Sequence, residues 1–252
     1  MAARSKSLLY FWNFFEKTGG YSSRFPSFLD FWQFAANIAI KDSDSLVTQL
    51  HRNLNPTAFF PYVNHAAFDG TDSRVFGSKP STEWIEAMKE GLTGPGTLLA
   101  YPGGYKEIET TTGKPLGPWL PKGDNIFLVS AFKVADEKDT KLQEAFEKDW
   151  TESSGTNFIL KNAPKELGIS NCGLYKKFTE RPGLLYVLRA ELTGAGEDSE
   201  PAKTFLAQLK EFKYPDYLQK VDNELYMADS ENIIFPPAGK KDLPEGFAYK
   251  LD

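Results

Sequence analysis

Cysteine is nearly absent from this 252-residue chain. Cys172 is the single one, which excludes an intrachain disulfide framework and any multi-cysteine metal site. Histidine is almost as scarce. His51 and His65 are the only two, and no carboxylate stands at ligand spacing from either, so no metal site is expected. Blocks of like charge are missing, and the net charge is −5, so binding to nucleic-acid phosphates through bulk electrostatics is not expected. Long apolar runs are missing too. LLYFWNFFE near the N-terminus is too short to span a bilayer, is cut by Asn13 and Glu16, and lacks a small-residue cleavage site. The Asn55-Pro56-Thr57 triplet carries Pro at the position that forbids glycosylation. There is no Gly-x-Ser-x-Gly elbow and no P-loop, and Gly94-Pro95-Gly96 and Gly103-Gly104 read as turns. What these absences leave is a soluble, cytoplasmic protein with no nucleic-acid and no membrane partner.

What is plentiful is aromatic. Twenty Phe, eleven Tyr and five Trp make 14% of the chain, enough to fill a large core or to wall a cavity for flat, apolar ligands. The 41% apolar content is that of a globular protein, and the length suits one large domain or two smaller ones.

Leu46 to Phe68 reads as two β-prone runs around an Asn/Pro turn at Asn53 to Thr57, an antiparallel hairpin. The pattern returns at Leu174 to Leu192. Without a gap, Leu50, Tyr62, Val63 and Ala66 align with Leu174, Tyr186, Val187 and Ala190, and Arg52 aligns with Lys176. The flanking elements repeat as well. A strand over Ser7 to Phe15 and a helix over Pro26 to Ile40 precede the first hairpin; a helix over Thr82 to Leu92, capped by Ser81, and a strand over Thr97 to Tyr105 follow it. In the second half the order is a strand over Asn125 to Val134, a helix over Thr140 to Trp150, the hairpin, a helix over Ser199 to Phe212 and a last strand between Glu224 and Phe235. The expected fold is therefore α+β, two ferredoxin-like βαββαβ repeats. The first covers 1–106, a Thr/Gly/Pro-rich linker covers 107–123, the second covers 124–236, and 237–252 is a tail.

With these residues in place the chain resembles the dimeric α/β-barrel superfamily, and most closely its antibiotic-biosynthesis-monooxygenase branch. The resemblance rests on Leu50-His51-Arg52, on Tyr62-Val63-Asn64, on the aromatic Phe68 and on the helix from Ser81. Phe68 stands where the family usually has Trp, and the connection from Asp69 to Pro80 is longer than the family's. The resemblance implies two four-stranded sheets packed face to face within one polypeptide, a single-chain barrel with helices outside and a ligand-sized space inside. It also implies that Asn64 and Phe68 face that space, with Tyr62 on the same strand face. In the second copy Leu188 replaces Asn64 and Tyr175 replaces His51, so the polar site is expected in the first copy alone.

Strand alternation by itself points the other way. Tyr186, Leu188, Ala190 and Leu192 form an apolar set suited to packing under helices, with Arg189 and Glu191 opposite. By alignment that would put Asn64 under helices too. Both facings stay open at this level.

The expected function is a cofactor-independent, monooxygenase-like or cyclase-like enzyme acting on a small aromatic or polyketide-type substrate of secondary metabolism. His51 and His65 are the candidate bases, because imidazole titrates near neutrality. Tyr62, Asn64, Phe68 and Tyr186 are the candidate substrate-binding residues. No cofactor and no metal are expected; haem held by one histidine is the less favoured option. The alternative is a non-catalytic protein of the same fold that binds a small apolar or aromatic ligand. Either works as a monomer or a homodimer.

Overall fold

The computed structural model describes residues 8–17, 25–42, 45–69, 81–92, 98–116, 126–180, 184–228 and 230–235. The expected element order is present: β1 (Leu8–Lys17), α1 (Phe28–Asp42), β2 (Ser45–Asn53), β3 (Tyr62–Asp69), α2 (Thr82–Leu92) and β4 (Leu98–Thr110) form the first half. The second half holds β5 (Ile126–Val134), α3 (Thr140–Lys148), α4 (Trp150–Ser153), α5 (Thr156–Asn162), β6 (Cys172–Lys177), β7 (Tyr186–Leu192), α6 (Glu200–Lys210) and β8 (Leu218–Met227), with a short β9 (Ile233–Ile234) at its end.

Local chemistry sets the helix starts. Ser81 Oγ accepts the Trp84 N–H at 3.2 Å and Ser199 Oγ accepts that of Ala202 at 3.3 Å, two side-chain caps on otherwise orphaned donors. Asp139 caps α3 through the N–H groups of Lys141 and Leu142. The helix expected to reach Trp150 stops at Lys148, and α4 and α5 follow, separated by Gly155 at φ +78°. Sequence periodicity had no means of locating the two breaks, one at Asp149 and one at the left-handed Gly155.

Hydrogen-bonded neighbours run β3-β1-β4-β6-β7-β5-β8-β2, and β2 pairs back onto β3. Eight antiparallel strands thus close into one barrel, with β9 lying against β2. The expected single-chain barrel is thus present, and its closure removes the exposed strand edges that two separate sheets would present. Within each half the strand order is the same, β2-β3-β1-β4 and β6-β7-β5-β8, and so is the register. Phe15↔Tyr62 matches Phe132↔Tyr186, and Leu50↔Asn64 matches Leu174↔Leu188.

The joins between halves are unequal. β4 and β6 pair from Tyr105↔Lys177 to Thr110↔Gly173, whereas β8 meets β2 at Arg52↔Met227 and Asn53↔Tyr226. β4 therefore runs to Thr110, into the stretch expected as linker. Its Thr-rich continuation is β-prone, and β6 offers it a free edge.

Strand alternation sorts the core into an inside and an outside. One cluster draws Tyr10, Trp12, Val63, Tyr105, Phe127, Tyr175, Val187 and Tyr226 from the strands and includes no helical residue; it lines the barrel interior. Outside, Phe15 and Leu50 pack with Phe28, Phe31 and Trp32 of α1. Leu128, Leu188 and Leu225 pack with Phe146, Ile159 and Phe205 of α3, α5 and α6. No helix among the described residues is long and apolar enough to cross a membrane.

Candidate functional site inside the barrel

Because His51 and His65 alternate with the helix-facing Leu50 and Asn64, both imidazoles project into the barrel. Each is fully buried. Their rings stack at 6.1 Å with 16° between planes. His51 also stacks on Phe127 at 5.1 Å, and the Arg189 guanidinium lies 4.9 Å over the other partner of that stack, the Phe127 ring. His65 is flanked by Tyr10 at 5.4 Å and Trp12 at 4.4 Å. Tyr175 meets both of these aromatics, at 5.0 and 5.8 Å. Four strands thus bring two imidazoles, a guanidinium and a phenol together, and β1 and β5 supply aromatic walls.

The electrostatics follow from burial and from Arg189. Desolvation, aided by the guanidinium, lowers His51 from 6.5 to about 3. His65 is lowered well below its ordinary value by burial, by Arg189 and by His51. Both imidazoles are therefore neutral near pH 7. Burial pushes the Tyr175 hydroxyl well up, and the Glu107 carboxylate adds to the effect.

Hydrogen bonding is unusually incomplete here. Among the described residues, no partner meets either ring nitrogen of His51 or of His65 at hydrogen-bond geometry, and the same holds for Trp12 Nε1 and the Tyr175 hydroxyl. Buried polar groups are ordinarily satisfied, because an unmet one costs about 1–3 kcal/mol. The contrast with two other interior phenols is direct. Tyr105 donates to the Leu184 carbonyl at 2.6 Å and Tyr226 to the Phe60 carbonyl at 3.1 Å.

The four residues expected to bind substrate lie on the other face of the sheet, which corrects the facing implied by the family resemblance. Asn64 Oδ1 accepts from Trp32 Nε1 of α1 at 2.8 Å and from the Thr48 hydroxyl at 3.1 Å. Tyr62 packs on Phe28 of α1 at 4.7 Å, and Phe68 packs with Leu9 and Ala66. Tyr186 stacks on Phe146 of α3 at 4.4 Å and donates to Glu147 at 2.6 Å. The reason is the two-residue period: with His51, His65 and Arg189 inside, their strand neighbours must face the helices. The apolar pattern of the second hairpin had pointed to this arrangement.

The second hairpin also contributes polar groups that were not expected from it. At the offset that aligns the two hairpins, Tyr175 takes the place of His51 and Arg189 that of His65, and all four are interior. Glu107 was missed for a different reason, its place in the Thr/Gly/Pro-rich stretch. It pairs with Tyr175 across β4 and β6, and the Leu116 N–H donates to its Oε2 at 3.1 Å. Burial raises its carboxyl, opposed in part by that N–H, by Tyr175 and by Arg189.

A neutral imidazole is the form that ligates a metal, and both histidines are held in that form. Among the described residues, no group of three or more His, Cys, Asp and Glu gathers as a metal cage.

No curated protein matches the chain in sequence. Solved structures with similar chain courses include an anthrone oxidase-like protein, at 12% identity over 97% of this chain and 98% of that one, TM-score 0.49. A monooxygenase-assigned protein of Lactobacillus acidophilus is similar at 9% identity over 92% and 97%, TM-score 0.42. A chlorite dismutase variant from Candidatus Nitrospira defluvii is similar at 10% identity over 90% and 92%, TM-score 0.47. The family model described as "Domain of unknown function (DUF7153)" matches residues 45–214, from the start of β2 to beyond the end of α6. That span holds both histidines, Glu107, Tyr175 and Arg189, and the chain belongs to the DUF7153 family.

Proposed function

We propose that the barrel interior binds a small, flat, phenolic or enolic ligand as its anion, and that the protein is a cofactor-independent, monooxygenase-like or cyclase-like enzyme on such a substrate. The single observation that carries this reading is the buried set His51, His65, Trp12 and Tyr175 beside the Arg189 guanidinium, whose ring nitrogens and hydroxyl no partner among the described residues meets at hydrogen-bond geometry. Unmet donors next to a buried cation suit an oxyanion between aromatic walls. In oxygenation of this kind the bound anion supplies the electrons to oxygen, and the protein stabilises the anion and excludes water.

Two architectural readings accompany it. The matching strand order and register favour two ferredoxin-like repeats, and the motif around His51 and Asn64 favours descent alongside the antibiotic-biosynthesis-monooxygenase branch. One observation favours the second functional reading, a ligand carrier without turnover. His51 at about 3 has little driving force as a base toward a phenol.

Oxygen uptake by the purified protein supplied with anthrone separates the two. Turnover that falls about 100-fold in Arg189→Gln supports the enzyme reading. Saturable binding of anthrone without oxygen uptake supports the carrier, and absence of both overturns the interior site.

A further inference from the structure

Glu107 is held in place by several features of the chain. β4 shifts register between Glu107 and Glu109, the kind of irregularity that re-aims a side chain. Beyond it the chain folds back over the barrel end. The Thr110 hydroxyl donates to the Lys114 carbonyl at 2.9 Å, and Asn171 Nδ2 donates to the same carbonyl at 3.0 Å. This return brings the Leu116 N–H onto Glu107 Oε2. Gly173 makes room for it. A Cβ there would lie 2.5 Å from Leu116 Cδ1 and 3.4 Å from Glu107 Oε2. The result is a carboxylate in the wall of the barrel, partly exposed on one side and facing the fully buried Tyr175 hydroxyl on the other.

That hydroxyl stands near enough to Glu107 for the two groups to act on each other, yet no partner meets it at full hydrogen-bond geometry, so its bonding is incomplete. The charged and titratable groups around Glu107 are Tyr175 from β6, with Tyr10 of β1 behind it, and Arg189 from β7. We propose that Glu107 is the proton acceptor for a phenolic or enolic O–H bound in the barrel, whose oxygen sits between the Tyr175 hydroxyl and Arg189. The inference rests on the interior being a ligand site, as proposed above.

The step balances within the site. The ligand's O–H bond breaks, its electron pair stays on the ligand oxygen beside Arg189, and the proton moves to Glu107. Oε1 is the receiving atom, because Oε2 already accepts from Leu116. The site's net charge is unchanged, and the partly exposed carboxyl later returns the proton to water. A carboxyl raised by burial suits this work better than imidazoles that burial has lowered.

4-Nitrophenol tests the assignment, because its phenolate has its own absorbance band. It is titrated into the full-length protein at a pH above the Glu107 carboxyl and below the probe's own pKa, by absorbance and by calorimetry in buffers of different ionisation heat. The wild type is expected to bind phenolate while releasing close to no proton. In Glu107→Gln, whose amide oxygen can still accept from Leu116, either about one proton is released per ligand or the phenolate band is lost. Glu107→Asp should behave as wild type. A wild type that releases a proton, or a Glu107→Gln protein with an unchanged band and proton count, overturns the assignment. Failure of the site itself looks different: no saturable binding by the wild type, or equal affinity in Arg189→Gln.

Discussion

His65 and Arg189 hold the same register position in the two halves of one barrel. His65 sits opposite Trp12 and Gln49, and Arg189 opposite Val129 and Gly173. Both are essentially without solvent exposure, and the cation lowers the imidazole's proton affinity. A chain that buries these groups together carries a stability cost that depends on pH.

Both histidines bind protons less readily folded than unfolded. His51 drops from 6.5 to about 3, and His65 is lowered as well. The unfolded chain therefore takes up protons that the folded chain refuses, and stability declines as the pH falls from about 6.5 toward 3. Between pH 7 and pH 5 the expected loss from His51 is about 2 kcal/mol, and His65 adds to it in the same direction. Urea midpoints should fall less over that range in the His51→Gln/His65→Gln double variant than in the wild type. Equal pH dependence would mean that water reaches the imidazoles.

Asn64 is a structural residue under α1. Asn64→Leu, the residue of the aligned position 188, strands Trp32 Nε1 and the Thr48 hydroxyl. A loss of about 2–4 kcal/mol is expected from two unmet buried donors, read from chemical denaturation. 4-Nitrophenol affinity should stay within about twofold of wild type, since Asn64 lies on the opposite strand face from His65.

Cys172 is buried at the start of β6, and burial alone raises its thiol to about 12. The thiolate fraction at pH 7 is then negligible. Labelling by a disulfide reagent should be silent in the native protein and should track global unfolding when urea is added. Rapid labelling without urea would show local opening at the start of β6, where Cys172 pairs with Ala190.

Gly194 follows β7 in a turn tied to the residues before β6, its N–H donating to the Leu167 carbonyl at 3.1 Å. A Cβ would lie 1.9 Å from the Glu166 carbonyl oxygen, so backbone must move. Gly194→Ala should cost more than about 2 kcal/mol, whereas Gly113→Ala, with open space around it but φ +68°, should cost about 1 kcal/mol. Thermal unfolding of the two variants gives the comparison.

Much of the fold was legible because strand and helix periods differ and because the chain states its pattern twice. The Ser81 and Ser199 caps and the shared hairpin register were visible as residue types at fixed offsets. The inward face was legible from the second hairpin, where apolar Leu188 and Ala190 flank Arg189. The first hairpin misled, because Asn64 is polar for the sake of Trp32, thirty-two residues earlier on a helix. Glu107 was hidden by composition. Thr, Gly and Pro after it signal a linker, and nothing local indicates that β6 will supply a partner strand.

Closure within a single chain also changes what mutation can do. In a barrel assembled from two identical chains, every substitution appears on both walls, so a cation placed opposite an imidazole would arrive with a second copy of each. Here each wall has its own codons. Position 51 can be His while its counterpart 175 is Tyr, and 65 can be His while 189 is Arg. Such a barrel can evolve a front and a back, and orient an unsymmetrical ligand in one direction.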